Sequence, residues 1–126
     1  MCQLFNALLD GLEDYTLDER GDVGSWIRMA CIRGLTNFAE RLFSNAVTIS
    51  NFGEYLPASK YHAAISGILR QGVERLDHVR QTAGEHMSRL LVLPLPAVVN
   101  SKQWCIEGEM LMKDLFLRYV FHVPLS

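Results

Sequence analysis

Residues 24–46, GSWIRMACIRGLTNFAERLFSNA, decide the fold. Trp26, Ile27, Ala30, Cys31, Leu35, Phe38, Ala39, Leu42 and Phe43 recur at helical spacing, which predicts one long helix with a single buried face. Within it lies a short signature. A branched aliphatic (Ile27) precedes an arginine (Arg28), a small residue follows four positions after the aliphatic (Cys31), and a large aliphatic follows eight after it (Leu35). The same offsets return at Val79, Arg80, Ala83 and Met87, about 52 residues on. Positions i, i+4 and i+8 share a helix face, and the small residue lets a neighbouring backbone approach. Such a unit cannot bury its apolar face alone, so it stacks on its neighbours. The expected fold is all-α, a solenoid fragment of stacked antiparallel helix pairs, with about five helices and no sheet.

The periodicity extends outward from this stretch. Leu4, Phe5, Leu8, Leu9 and Leu12 form one stripe and predict a helix over 2–13. The segment DYTLDERGDVG at 14–24 carries turn formers and predicts a loop, with Asp22 or Ser25 capping the helix that follows. Residues 47–57 lose the helical period and are expected to link two units, with Leu56 packing on the bundle. The period resumes over 58–93, and Gly72 near its middle predicts a break around Gln71 to Glu74, giving an αα-hairpin. Pro94 and Pro96 end that pair. A last helix is expected over about 103–122, within the apolar stretch Trp104 to Val123. These elements are expected to form one domain over 1–126.

Composition narrows the function classes. Half of the 126 residues are hydrophobic and 21% are charged, the balance of a folded chain rather than a disordered one. A net charge of −2 gives no electrostatic case for nucleic acid, and no apolar run is long enough for a membrane span. Acids arrive early, at Asp10, Glu13 and Asp14, where a secretory signal would be basic and then apolar. Cys2, Cys31 and Cys105 are too few and too widely spaced for a disulfide framework. A cytoplasmic protein is expected.

Asp22, five residues before Ile27-Arg28, resembles the Asp that precedes Val-Arg in HEAT-type repeats, and units over about 2–46 and 58–93 follow from that likeness. The block Asp14-Tyr15-Thr16, followed by Arg20-Gly21-Asp22-Val23-Gly24-Ser25-Trp26-Ile27-Arg28, resembles the C-terminal region of the tubulin-folding cofactor D family. Glu74 to Glu85 is similar to the next helix of that region. The likeness runs over roughly 9–93; beyond Pro94 none is evident, so the last helix is expected to be divergent, foreign or from an alternative transcript. The resemblance implies a chaperone scaffold that acts by protein–protein contact. It also implies as partners β-tubulin, other tubulin-folding cofactors and an ARF-like small GTPase, and association with the cytoskeleton. The alternatives are a non-functional truncated product and an unrelated helical regulator.

Asp14, Tyr15, Arg20, Asp22, Trp26 and Arg28 are therefore the candidate partner-binding or loop residues. Arg20-Gly21-Asp22 spells an adhesion tripeptide, but Gly21 as a turn and Asp22 as a cap account for it, with Arg20 paired to Asp18 or Asp14. Among the acids of 10–22, Asp14, Asp18 and Asp22 fall every fourth residue, not at the alternate positions of a calcium loop. In HEAT-like units an arginine like Arg28 or Arg80 bridges to an acid of a neighbouring repeat. Trp26 is expected in the core, with an interface anchor as the alternative. His62, His78, His86 and His122 include no i, i+4 pair for zinc. Cys31 is expected to be buried and inert, and Cys2 and Cys105 lack an adjacent base. No phosphate-cradling or nucleophile motif occurs, so no enzyme, no metal and no cofactor are expected.

Overall fold

The computed structural model describes residues 2–106 and 108. Among them the chain is all-α: α1 (Cys2–Gly11), α2 (Gly24–Ser44), α3 (Phe52–Tyr55), α4 (Ala58–Gln71) and α5 (Asp77–Leu91). One small departure from the all-helix expectation lies in the 14–24 loop. There β1 (Leu17–Asp18) and β2 (Gly21–Asp22) pair antiparallel, Leu17 opposite Asp22, around a Gly21 with φ 106°. A positive φ at Gly21 is what lets so short a hairpin close. The expected last helix does not begin at about 103: residues 101–104 form a single 3₁₀ turn, and 105–106 are not helical. The remainder of that expectation lies outside the described residues.

α1 and α2 run antiparallel, as three contacts in reverse order show. A Cβ on Gly11 would collide with the Cys31 sulfur, one on Gly34 would sit 3.1 Å from Leu8, and Phe5 meets Phe38 edge-on at 6.1 Å. The close approach predicted at Cys31 is therefore real, and Gly11 supplies its other half. α2 is the central element, with α1 against one side and α5 against another. The expected break separates α4 from α5 between Gln71 and Asp77, and α5 stops at Leu91, ahead of Pro94.

Residues 45–57 are more than a linker. Asn51 takes a left-handed φ of 58° and opens α3, which drives Phe52 and Leu56 into the core. Phe43 packs on Tyr61 at 5.0 Å and on Phe52 at 6.0 Å, and Phe52 packs on Trp104 at 5.1 Å. The Trp104 indole N–H donates to the Leu56 carbonyl at 2.9 Å, so this buried aromatic keeps a polar partner.

Candidate functional site

The 14–28 block folds around a buried arginine. Arg28 is completely shielded, and each of its five N–H donors has an acceptor. Nε donates to Gln71 Oε1 at 3.0 Å, and Nη1 donates to the Asp14 carbonyl at 2.7 Å and to Asp22 Oδ1 at 3.2 Å. Nη2 donates to Asp22 Oδ2 at 3.0 Å and to Glu74 Oε1 at 3.2 Å. The Tyr15 ring lies 4.2 Å from the guanidinium carbon, and its hydroxyl accepts from Gln71 Nε2 at 3.0 Å. Burial works against the Arg28 charge, but the Asp22 hydrogen bonds and the Asp22 and Glu74 carboxylates outweigh it, so the guanidinium holds its proton more firmly than usual. The same contact holds the Asp22 carboxyl below the usual range.

Local chemistry prepares the acceptors. The Asp14 carboxylate accepts from the Thr16 hydroxyl at 2.6 Å and from its backbone N–H at 3.0 Å, which lowers its pKa and fixes the turn that aims the Asp14 carbonyl inward. Gly24 packs where any Cβ would strike the backbone of Asp14 and Thr16. The N-cap position is Val23, whose apolar side chain can accept no hydrogen bond; Asp22, one residue earlier, accepts from the Ser25 N–H at 3.1 Å. Asp22 thus serves α2 and Arg28 together.

Four of the six candidate residues, Asp14, Tyr15, Asp22 and Arg28, converge in this clasp, while Arg20 and Trp26 form a separate surface pair. Arg20 bridges to Asp18 at 2.8 Å and lies 5.6 Å from the centre of the Trp26 ring. Trp26 is 56% exposed and Ile27 45%, and Ala30 is also exposed, which corrects the core placement expected for all three. The physical reason is Arg28. Seating it inward turns the neighbouring positions of α2 out to solvent. The adhesion reading of Arg20-Gly21-Asp22 also loses its acid, since both Asp22 oxygens are engaged by Arg28. Gln71 and Glu74, which complete the clasp, escaped the sequence reading because they lie 43 and 46 residues away along the chain.

Cys31 is buried, and burial raises its thiol pKa, the opposite of activation. Among the described residues no group of three His, Cys, Asp or Glu is placed to hold a metal, and no helix is long and apolar enough to cross a membrane.

Residues 62–123 match the family described as tubulin folding cofactor D C terminal. The chain carries a cofactor-D-like C-terminal region. A curated relative, tubulin-specific chaperone D of Dictyostelium discoideum, is 24% identical over 109 residues, covering 79% of this chain and 7% of the relative. The chain thus spans a small fraction of that relative's length. No solved structure matches. The cofactor D match crosses Pro94 and runs to residue 123, which corrects the expectation that the likeness ends at 93. Gln71 and Glu74 lie inside the cofactor D match and Asp14, Asp22 and Arg28 outside it, so the clasp fastens the N-terminal block to the matched region.

Proposed function

We propose that this chain is a scaffold segment of a tubulin-folding chaperone that contributes to β-tubulin binding and heterodimer assembly by protein–protein contact. The observation that carries the reading is the cofactor D match over 62–123. The name of the Dictyostelium relative supports it. Other tubulin-folding cofactors and an ARF-like small GTPase are the further proposed partners, in the cytoplasm and with the cytoskeleton. Residues 2–46 and 58–93 serve as its two HEAT-like units. The single domain proposed over 1–126 takes the rest of the chain with them.

The geometry is in keeping with binding rather than catalysis. The Arg28 clasp is internal and saturated, so it makes a rigid support, and what it leaves exposed is Trp26 with Arg20, two residue types favoured at interface hot spots. Solenoids bind through long surfaces built from many repeats, so a segment of this size should bind weakly. Sedimentation of the purified chain with purified tubulin tests the reading. Weak, saturable association that drops when Trp26 and Arg20 are both changed to alanine supports it. Absence of association with tubulin at roughly 100 µM chain, a concentration that would reveal contacts of about 5 kcal/mol, overturns it.

A further inference from the structure

We propose that the outward face of α2 is a docking surface for an acidic amphipathic helix of a partner protein. The inference stands independently of the tubulin reading, because it rests on the face itself. Helical geometry puts Trp26, Ala30, Arg33, Asn37 and Arg41 on one stripe, and all five are exposed. No described element covers it. α1 packs beside it, with Leu8 against Gly34, and α5 packs beside its other edge, with Arg89 donating to Asn37 Oδ1 at 3.0 Å.

Three observations say what fits there. The first is charge. Arg33 and Arg41 are the charged residues of the stripe, and among the described residues neither guanidinium has a hydrogen-bond or ion-pair partner. The remaining arginines near the face are occupied: Arg20 by Asp18, and Arg89 by Glu40 and Asn37. Two arginines and no acid make this stripe basic, on a chain of net charge −2. The second is spacing. Eight residues of helix place Arg33 and Arg41 about 12 Å apart along the axis, a span that a second helix matches with carboxylates two turns apart. The third is relief. Trp26 stands at one end as an apolar anchor, Ala30 leaves room for close approach of a backbone, and two depressions meet at Asn37 and Arg41. One, of about 320 Å³, is lined by Gly34, Phe38 and Leu42 beside them. The other, of about 460 Å³, is lined by Glu40, Ser44 and Asn45 beside them. An apolar side chain enters the first while a neighbouring carboxylate reaches Arg41 on the ridge between them.

The test is fluorescence anisotropy of a panel of labelled helical peptides titrated with the full chain. Each peptide carries a Leu/Ala stripe flanked by glutamates two turns apart, and matched panels carry glutamine or lysine in place of glutamate. Acidic peptides should bind saturably and at least about tenfold more tightly than the lysine set, with a preference that shrinks as salt rises. The double variant Arg33→Glu/Arg41→Glu should reverse the preference toward lysine peptides. Arg75→Glu, an exposed control away from the stripe, should change nothing, and Trp26→Ala should weaken both. All of these are surface positions, and circular dichroism of each variant confirms that it folds. No saturable binding by any acidic peptide, equal binding of all three panels, or equal loss in Arg75→Glu overturns the proposal. Concentration-dependent self-association abolished by Arg33→Glu/Arg41→Glu also overturns it, by making the occupant a second copy of the chain.

Discussion

At the start of α2, Arg28 is fully buried and Ile27 faces solvent; at the start of α5, Val79 is fully buried and the Arg80 side chain is 39% exposed. The two signatures share every offset, and from the fourth position on they behave alike: Cys31 and Leu35 are buried, as are Ala83 and Met87. Only the leading pair exchanges roles. One residue is about 100° of helix rotation, so a neighbouring position takes the inward slot when there is reason for it to do so. At α2 the reason is a nest of acceptors gathered from the 14–22 turn and the α4–α5 connection. At α5 the arginine finds an exposed Asp77 one turn away and the Glu74 carbonyl at 3.1 Å, and nothing draws it in. Glu74 serves both sites, with its side chain on Arg28 and its backbone on Arg80. A shared motif therefore fixes a helix and its general buried face, while long-range polar partners choose which residue leads that face.

The contrast is broken most directly at the arginines. Arg28→Met should cost about 3–5 kcal/mol, because Asp22, Gln71 and Glu74 lose their common donor in a shielded place. Arg80→Met should cost under about 1 kcal/mol, as an exposed pair does. Urea denaturation of the two variants measures the gap, and equal midpoints would show that the buried clasp contributes no more than a surface pair. At the aliphatic position the order should reverse. Val79→Ala removes fully buried methyl groups, at about 1–2 kcal/mol, whereas Ile27→Ala should lose less than half of that.

The small-residue position, shared by both signatures, sharpens the comparison by showing where they agree. Cys31→Leu should overpack the seam against Gly11 by roughly 1–3 kcal/mol, and Gly11→Ala should be damaging for the same reason. Cys105→Ser, at an exposed site, should leave the midpoint within about 0.5 kcal/mol of the parent. If Cys31→Leu proves as harmless as Cys105→Ser, the α1–α2 contact is looser than its geometry indicates.

The smallest effect concerns pH. Burial, and then the Arg89 charge, hold the His86 pKa below its ordinary 6.5; Arg33 acts in the same direction, while Glu85 and Glu40 oppose it. A lowered histidine pKa means that the unfolded chain takes up the proton first. Its contribution to stability is therefore full above 6.5 and is lost as pH falls from there through the lower pKa of the folded state. Asp22 behaves alike at lower pH: with its pKa depressed by Arg28, its contribution is full above the ordinary 3.8 and is lost as acid protonates it. Thermal melts should thus decline in two steps on acidification. His86→Gln should flatten the upper step alone, and Arg28→Met should shrink the lower one, to which Asp14 and Asp18 also contribute. An unchanged upper step in His86→Gln would reassign that step to another group.

Much of the architecture was legible in the chain. Apolar spacing placed α1, α2 and the α4–α5 pair, because burying a continuous stripe is a local, periodic requirement that sequence records directly. Gly72 marked the break, Pro94 and Pro96 marked the stop, and Cys31 marked the close approach. The motif block also led to the cofactor D likeness, although the extent of that likeness beyond Pro94 was not visible from the residues. What the tertiary structure alone decided is the orientation of the 14–28 block. Nothing near Arg28 in sequence announces Gln71 or Glu74, and without those acceptors a buried guanidinium would be the costlier arrangement. By helical period, Trp26 and Ile27 belonged to the core. The desolvated arginine, satisfied at five donors by groups brought from across the fold, took the inward slot and left them outside, where the α2 face with Arg33 and Arg41 now stands open.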